Sequence, residues 1–157
     1  MTDKDTQQKN RLQILQELCR EHGLKVTHQR LEILQAVAGA NNHPSAEEVF
    51  KQVREKLPTI SFDTIYRNLA LLEQNGVIAR VQYLDDRTRY DSNLKHHHHL
   101  VCTKCRKIQD FYWPDADQMK IPEETGEWGI VQKKYIELRG LCRACLEAER
   151  NKNSKTG

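Results

Sequence analysis

Long apolar runs are missing from this 157-residue chain: no stretch approaches the roughly 20 apolar residues that span a bilayer. A membrane partner is therefore not expected. The opening residues, MTDKDTQQKN, lack the apolar run of a secretory signal, which predicts a cytoplasmic chain. Charge of one sign is also scarce. The formal net charge is +3, and residues 1–90 carry only about +1, so composition alone gives no sign of a polyanion partner. Hydrophobic residues make up 38% against 30% charged, so two small halves would each have a modest core, and a metal brace on one of them fits that shortage. Internal repeats are absent, and so is any HExxH signature of a metallohydrolase.

What is present in the first half reads as helices. Leu12, Leu15, Leu18 and Cys19 recur at helical spacing, and Gly23 follows as a cap. Thr27 is placed to cap a second helix with Leu31, Leu34 and Val37 on one face, ending near Gly39. Ser45 and Glu48 match a capping box, and the helix they open carries Val49, Phe50 and Val53 until Pro58 closes the segment. Ser61 caps a fourth helix in which Phe62, Ile65, Leu69 and Leu72 form an inward stripe. Asp63, Tyr66 and Arg67 face the other way, and Gly76 ends the helix.

Two strand-like runs follow, residues 77–83 and 87–90, with a turn at Asp85 and Asp86. Helices followed by a hairpin suggest a winged helix-turn-helix, in which the last helix enters the major groove. The chain therefore predicts an α+β protein: a winged-helix domain over 1–88, a hinge over 89–94, a smaller domain over 95–147 and a tail over 148–157. In the smaller domain, residues 100–101, 108–112 and 135–138 look like strands.

Five cysteines in a reducing compartment do not form a disulfide framework. Cys102, Cys105, Cys142 and Cys145 make two CxxC pairs, which together offer the four thiolates of a closed tetrahedral zinc site. A rubredoxin-like iron site would use the same ligands. A redox CxxC normally stands alone at a helix start, so the paired motif points to a brace. Cys19 lies in the apolar stripe of the first helix and reads as core.

His96, His97, His98 and His99 precede the first CxxC. On a strand, His97 and His99 share one face while His96 and His98 share the other. Asp91, Asp110 and His43 are candidates to complete one face, giving three nitrogens and two carboxylates suited to Fe(II) or Mn(II). Against this, a histidine before a proline is commonly a loop residue, and a histidine run is commonly a solvated strand.

The segment HHHHLVCTKC, followed later by LCRAC and preceded by TISFDTIYRNLALLEQNGVI, closely resembles the ferric uptake regulator family over residues 10–147. The resemblance implies a dimeric, metal-dependent transcription repressor with an N-terminal winged helix and a C-terminal α/β dimerisation domain bearing the zinc. Within the family the ligand pattern is similar to the peroxide regulators, which implies Fe(II) or Mn(II) at His43, Asp91, His97, His99 and Asp110. Iron-uptake members typically carry Glu where Asp110 stands. Many iron regulators have a further site that uses a histidine shortly before the second CxxC. The matching stretch here is Gln132, Lys133, Lys134 and Tyr135, and lysine is a poor ligand at neutral pH. His96 and His98 are accordingly expected to be solvated or hydrogen-bonded.

The resemblance further implies a homodimer on a palindromic double-stranded operator, contacted by Ser61, Asp63, Thr64, Tyr66 and Arg67 at the start of the fourth helix. Peroxide reduced at the iron would oxidise His43 or His97 to 2-oxo-histidine and release the DNA. Competing readings are a repressor responding to iron or zinc supply, a metalloenzyme using the His/Asp set, and a zinc-braced interaction module. The metalloenzyme lacks a recognisable catalytic motif, and the interaction module leaves the capped helices and wing unexplained. The chain is not expected to be an enzyme.

Overall fold

A computed structural model of the protein describes residues 3–40, 43–82 and 87–153, in two compact units, Met1–Leu94 and Lys95–Gly157. The first unit contains α1 (Asp3–Glu21), α2 (His28–Gly39), α3 (Ala46–Lys56) and α4 (Phe62–Gln74), followed by β1 (Ala79–Gln82) and β2 (Thr88–Asp91). Local chemistry sets most of these boundaries. Gly23 ends α1 with φ +69°, a left-handed conformation that a side chain would strain. Thr27 caps α2 by accepting from the N–H of Arg30. Ser45 and Glu48 form a reciprocal capping box on α3, with the Ser45 N–H donating to the Glu48 carboxylate at 2.7 Å. Ser61 caps α4 through the N–H of Thr64 at 3.1 Å.

The core of this unit joins Leu15 and Cys19 of α1, Ile33, Leu34 and Val37 of α2, Val49 and Val53 of α3, and Ile65, Leu69 and Leu72 of α4. Each fully buried aliphatic side chain contributes about 1.5 to 3 kcal/mol. Phe62 departs from the expected stripe. It is 40% exposed, and its ring meets Phe50 edge-on at 5.6 Å, because the first residue of α4 lies beyond the end of the helix-packed core. Val77 and Ile78 differ as well: after Gly76 they turn inward as core residues, so β1 starts only at Ala79.

The wing pairs antiparallel, with Ala79 opposite Asp91 and Gln82 opposite Thr88. The expected turn at Asp85 and Asp86 lies outside the described residues. Residues 89–91, expected to begin the hinge, are paired strand with buried Tyr90 and Asp91. The ladder extends further, because Ser45 bridges to Arg89 and the Tyr90 N–H donates to the Pro44 carbonyl at 3.0 Å.

The second unit contains β3 (His98–Cys102), β4 (Ile108–Phe111), α5 (Pro114–Gln118), α6 (Thr125–Trp128), β5 (Glu137–Gly140) and α7 (Arg143–Asn153). Its sheet has the order β4-β3-β5. The β3 and β4 strands are antiparallel neighbours, whereas β5 runs parallel to β3 and requires the long crossover that holds α5 and α6. Residues 148–153, expected to be tail, are helical in α7, which Lys104 ties down through Glu149 at 2.8 Å. The apolar core is small: among the described residues only Val101, Cys102, Ile108 and Ala116 are buried hydrophobic residues of this unit. No helix among the described residues is long and apolar enough to cross a membrane.

Candidate metal centre

Strand register brings the four cysteines together. Cys102 is the last residue of β3, and parallel pairing sets it opposite Gly140, two residues before Cys142. Arg106, at φ +63°, turns the chain directly after Cys105, and Cys145 lies in the first turn of α7. The four Sγ atoms all lie within 4.8 Å of one another, and Cys105 and Cys142 are 3.7 Å apart. Zinc–sulfur bonds of about 2.3 Å in a tetrahedron imply sulfur–sulfur edges of about 3.8 Å, so the donor set fits a structural zinc ion.

Without a cation Cys102 and Cys145 do not ionise alike. The Cys142 N–H donates to Cys102 Sγ at 3.3 Å. That bond, followed by one from Cys105, holds the Cys102 thiol down at about 6. Hydrogen bonding with the Cys142 side chain and then burial push Cys145 up to about 12. A dication would remove this inequality by favouring the thiolate of every ligand.

A second set lies on β3, the residue leading into it, and β4. Strand alternation puts His97 and His99 on one face, with their Nε2 atoms 3.0 Å apart and rings nearly perpendicular at 89°. Asp110, the register partner of His99, brings its Oδ1 to 3.6 Å from His97 Nε2 and 3.8 Å from His99 Nε2. The Nδ1 of His97 contacts the Lys95 carbonyl at 2.6 Å, and since a carbonyl only accepts, the proton sits on Nδ1 and the Nε2 lone pair faces His99 and Asp110. This is the tautomer a ligating histidine needs. Two imidazole nitrogens bound about 2.1 Å from one metal at right angles would be roughly 3.0 Å apart.

In the first unit, the extended wing ladder carries His43 to Asp91. The His43 Nε2 is 3.1 Å from Asp91 Oδ2, and both residues are buried. Asp91 Oδ1 accepts from the Asn93 N–H at 2.7 Å, which fixes the carboxylate. His43 has φ +44°, a strained value for a side-chain-bearing residue, and Arg89 holds its carbonyl from 3.4 Å. The role of Arg89 had no signal in the sequence, since only the bridge between residues 45 and 89 brings it there.

On α4, Asp63, Tyr66 and Arg67 are exposed, and Arg67 Nε pairs with Asp63 Oδ2 at 2.9 Å. Ser61 is committed to the helix cap, its hydroxyl also 2.8 Å from that of Thr64. Asp117 was not singled out by the sequence, yet it meets both His96 and His98. A donor fifteen or more residues away on another element leaves no local pattern.

A four-helix unit ending in a two-stranded wing, followed in the chain by a sheet with four clustered cysteines, has the make-up of a winged-helix protein with a metal-binding second unit. Comparison with known proteins narrows this class. The ferric uptake regulator family profile matches residues 21–135. A peroxide-responsive repressor, PerR, of Staphylococcus epidermidis is 32% identical over 129 residues, covering 82% of this chain and 85% of that protein. Among solved structures, the Campylobacter jejuni peroxide stress regulator is 30% identical with a TM-score of 0.63, covering 82% of this chain and 97% of that one. The ferric uptake regulator Fur of Helicobacter pylori, described as having three functional metal-binding sites, is 25% identical with a TM-score of 0.68, covering 90% of this chain and 95% of that one. The chain belongs to the ferric uptake regulator family.

Proposed function

We propose that this protein is a homodimeric, cytoplasmic repressor of a palindromic double-stranded DNA operator that senses hydrogen peroxide. Zinc held by Cys102, Cys105, Cys142 and Cys145 braces the dimerisation domain, while Fe(II) or Mn(II) is held by His43, Asp91, His97, His99 and Asp110. The observation that carries the reading is the His97 and His99 pair, with Nε2 atoms 3.0 Å apart beside Asp110 and the His97 Nδ1–H donating to the Lys95 carbonyl. The peroxide-responsive name of relatives at about 30% identity supports the choice of signal.

Because the five ligands come from both halves of the chain, binding favours one arrangement of the two domains over others. That arrangement sets the spacing of two α4 helices on successive half-sites. Ser61, Asp63, Thr64, Tyr66 and Arg67 supply the contacts, with Arg67 on a base or phosphate and Tyr66 on a thymine methyl or phosphate. Fe(II) held by these residues would supply the redox chemistry that activates peroxide, whereas Mn(II) would support DNA binding without it. One oxygen of hydrogen peroxide would replace the ring C–H hydrogen of His43 or His97 to give 2-oxo-histidine while the other leaves as water, so that peroxide is the two-electron oxidant; the altered ring would no longer suit the site, and the operator would be released.

The test is to load the protein separately with Fe(II) and Mn(II), expose each form to mild peroxide, and follow operator binding together with peptide mass. The Fe(II) form is expected to release DNA and gain one oxygen on His43 or His97. If it keeps its DNA and neither histidine gains oxygen, metal supply is the signal instead.

A further inference from the structure

The outer face of the histidine run carries a third group of donors, His96, His98 and Asp117, within 4.8 Å of one another. By residue type and spacing this is a candidate for another ion. The residues present do not fit one. His98 is fully buried, and its Nδ1 accepts a hydrogen bond from the Ile136 N–H at 3.1 Å. An N–H can only donate, so Nδ1 is unprotonated and the proton of the neutral ring sits on Nε2. Nε2 is the atom turned to Asp117 Oδ1 at 3.1 Å, a contact with the distance of a hydrogen bond but not its alignment. A histidine that ligates through Nε2 carries its proton on Nδ1 and donates it outward. His97, one residue earlier, has that arrangement, and His98 has the reverse.

A cation is supplied from within the chain. Lys134 lies in the stretch where iron regulators place a ligating histidine. Its ammonium donates to the carbonyls of Ala116, Asp117 and Met119 at 2.8, 3.0 and 2.6 Å. These carbonyls belong to the last turn of α5 and its cap, where helix carbonyls run out of helical N–H donors; the Ala116 carbonyl also accepts from the Met119 N–H at 3.3 Å. An ammonium has three N–H groups, and here all three have an acceptor. His96 Nε2 closes the arrangement on Asp117 Oδ1 at 2.7 Å.

We propose that this corner of the fold holds no metal ion: the Lys134 ammonium fastens the end of α5 through its carbonyls, and the Nε2–H groups of His96 and His98 face the Asp117 carboxylate, so the three side chains offer no open donor set to a divalent cation. The chain then binds a structural ion and a regulatory ion but no third one.

Three measurements on the full-length zinc-containing protein test this. Long-range nitrogen–proton NMR is expected to show the His98 proton on Nε2, unchanged by excess Zn(II); loss of that proton on adding Zn(II) would overturn the proposal. Metal content after equilibration with Zn(II) and dialysis is expected to be the same for wild type and Asp117→Asn, whereas a whole equivalent lost with that substitution would contradict it. This comparison is independent of the regulatory centre, whose failure to bind metal would show as insensitivity to Asp110→Asn. Lys134→Met is expected to lower the thermal midpoint by at least about 4 °C, with no recovery on adding Zn(II). An unchanged midpoint, or one restored by Zn(II), would refute the role of the ammonium. The first two readouts stand even if that variant folds poorly.

Discussion

The backbone N–H of Cys142 is directed at the sulfur of Cys102 from 3.3 Å, so one CxxC pair prepares the thiolate of the other before any metal arrives. The sign of the resulting pH dependence follows. Cys102 has a depressed folded-state value, so its thiolate stabilises the metal-free fold above the unfolded thiol value of about 9, and this is lost as pH falls through about 6. Cys145 acts oppositely: its protonated form is favoured, and that stabilisation disappears as pH rises toward about 12. Thiolate absorbance of reduced, metal-free protein is expected to show a step near pH 6 that Cys102→Ser removes. The same variant should lose the zinc by elemental analysis, and retention of one zinc per chain would show that three thiolates suffice.

Asp110→Glu is expected to blunt the peroxide response while keeping metal-dependent operator binding. The longer side chain moves the carboxylate that now faces His97 and His99 at 3.6 and 3.8 Å. Operator release from the Fe(II) form under peroxide measures this directly. Undiminished sensitivity would remove Asp110 as a discriminator between peroxide and metal sensing.

Arg67→Ala should weaken operator binding about 5- to 150-fold, the range for losing one good base contact. The Asp63 and Arg67 side chains are 66% and 79% exposed, so breaking their pair should change stability by less than about 1 kcal/mol. Fluorescence anisotropy with labelled operator and a thermal melt separate the two effects. Wild-type affinity would move the contact away from this residue.

Cys19→Ala is expected to leave the peroxide response intact and to cost about 1 to 2 kcal/mol of stability. The thiol is fully buried, and burial pushes its pKa up against the opposing pull of Arg30 and Arg20, so it is a poor nucleophile. A variant blind to peroxide would instead make Cys19 part of the sensor.

The helical half was legible because its boundaries are written in neighbouring residues. Thr27, Ser45 and Ser61 each satisfy an N–H three residues ahead, and the spacing of Ile65, Leu69 and Leu72 repeats with the helix. Phe62 fits that spacing too, but periodicity is blind to where the core stops. Alternation along β3 and the two residues leading into it was readable for the same local reason, and it separates His97 and His99 from His96 and His98. The parallel pairing of β3 with β5 was not readable, since it depends on a crossover of more than thirty residues rather than on either strand. The polar α7 carries little apolar signal, and Asp117 and Lys134 owe their places to α5 and that crossover.

Among the described residues the buried hydrophobic ones of the second unit are Val101, Cys102, Ile108 and Ala116, and one of these four is itself a zinc-site cysteine. Zinc would then stand upstream of the proposed signalling: a cell starved of zinc is expected to hold fewer working copies of the repressor rather than copies set to a different threshold.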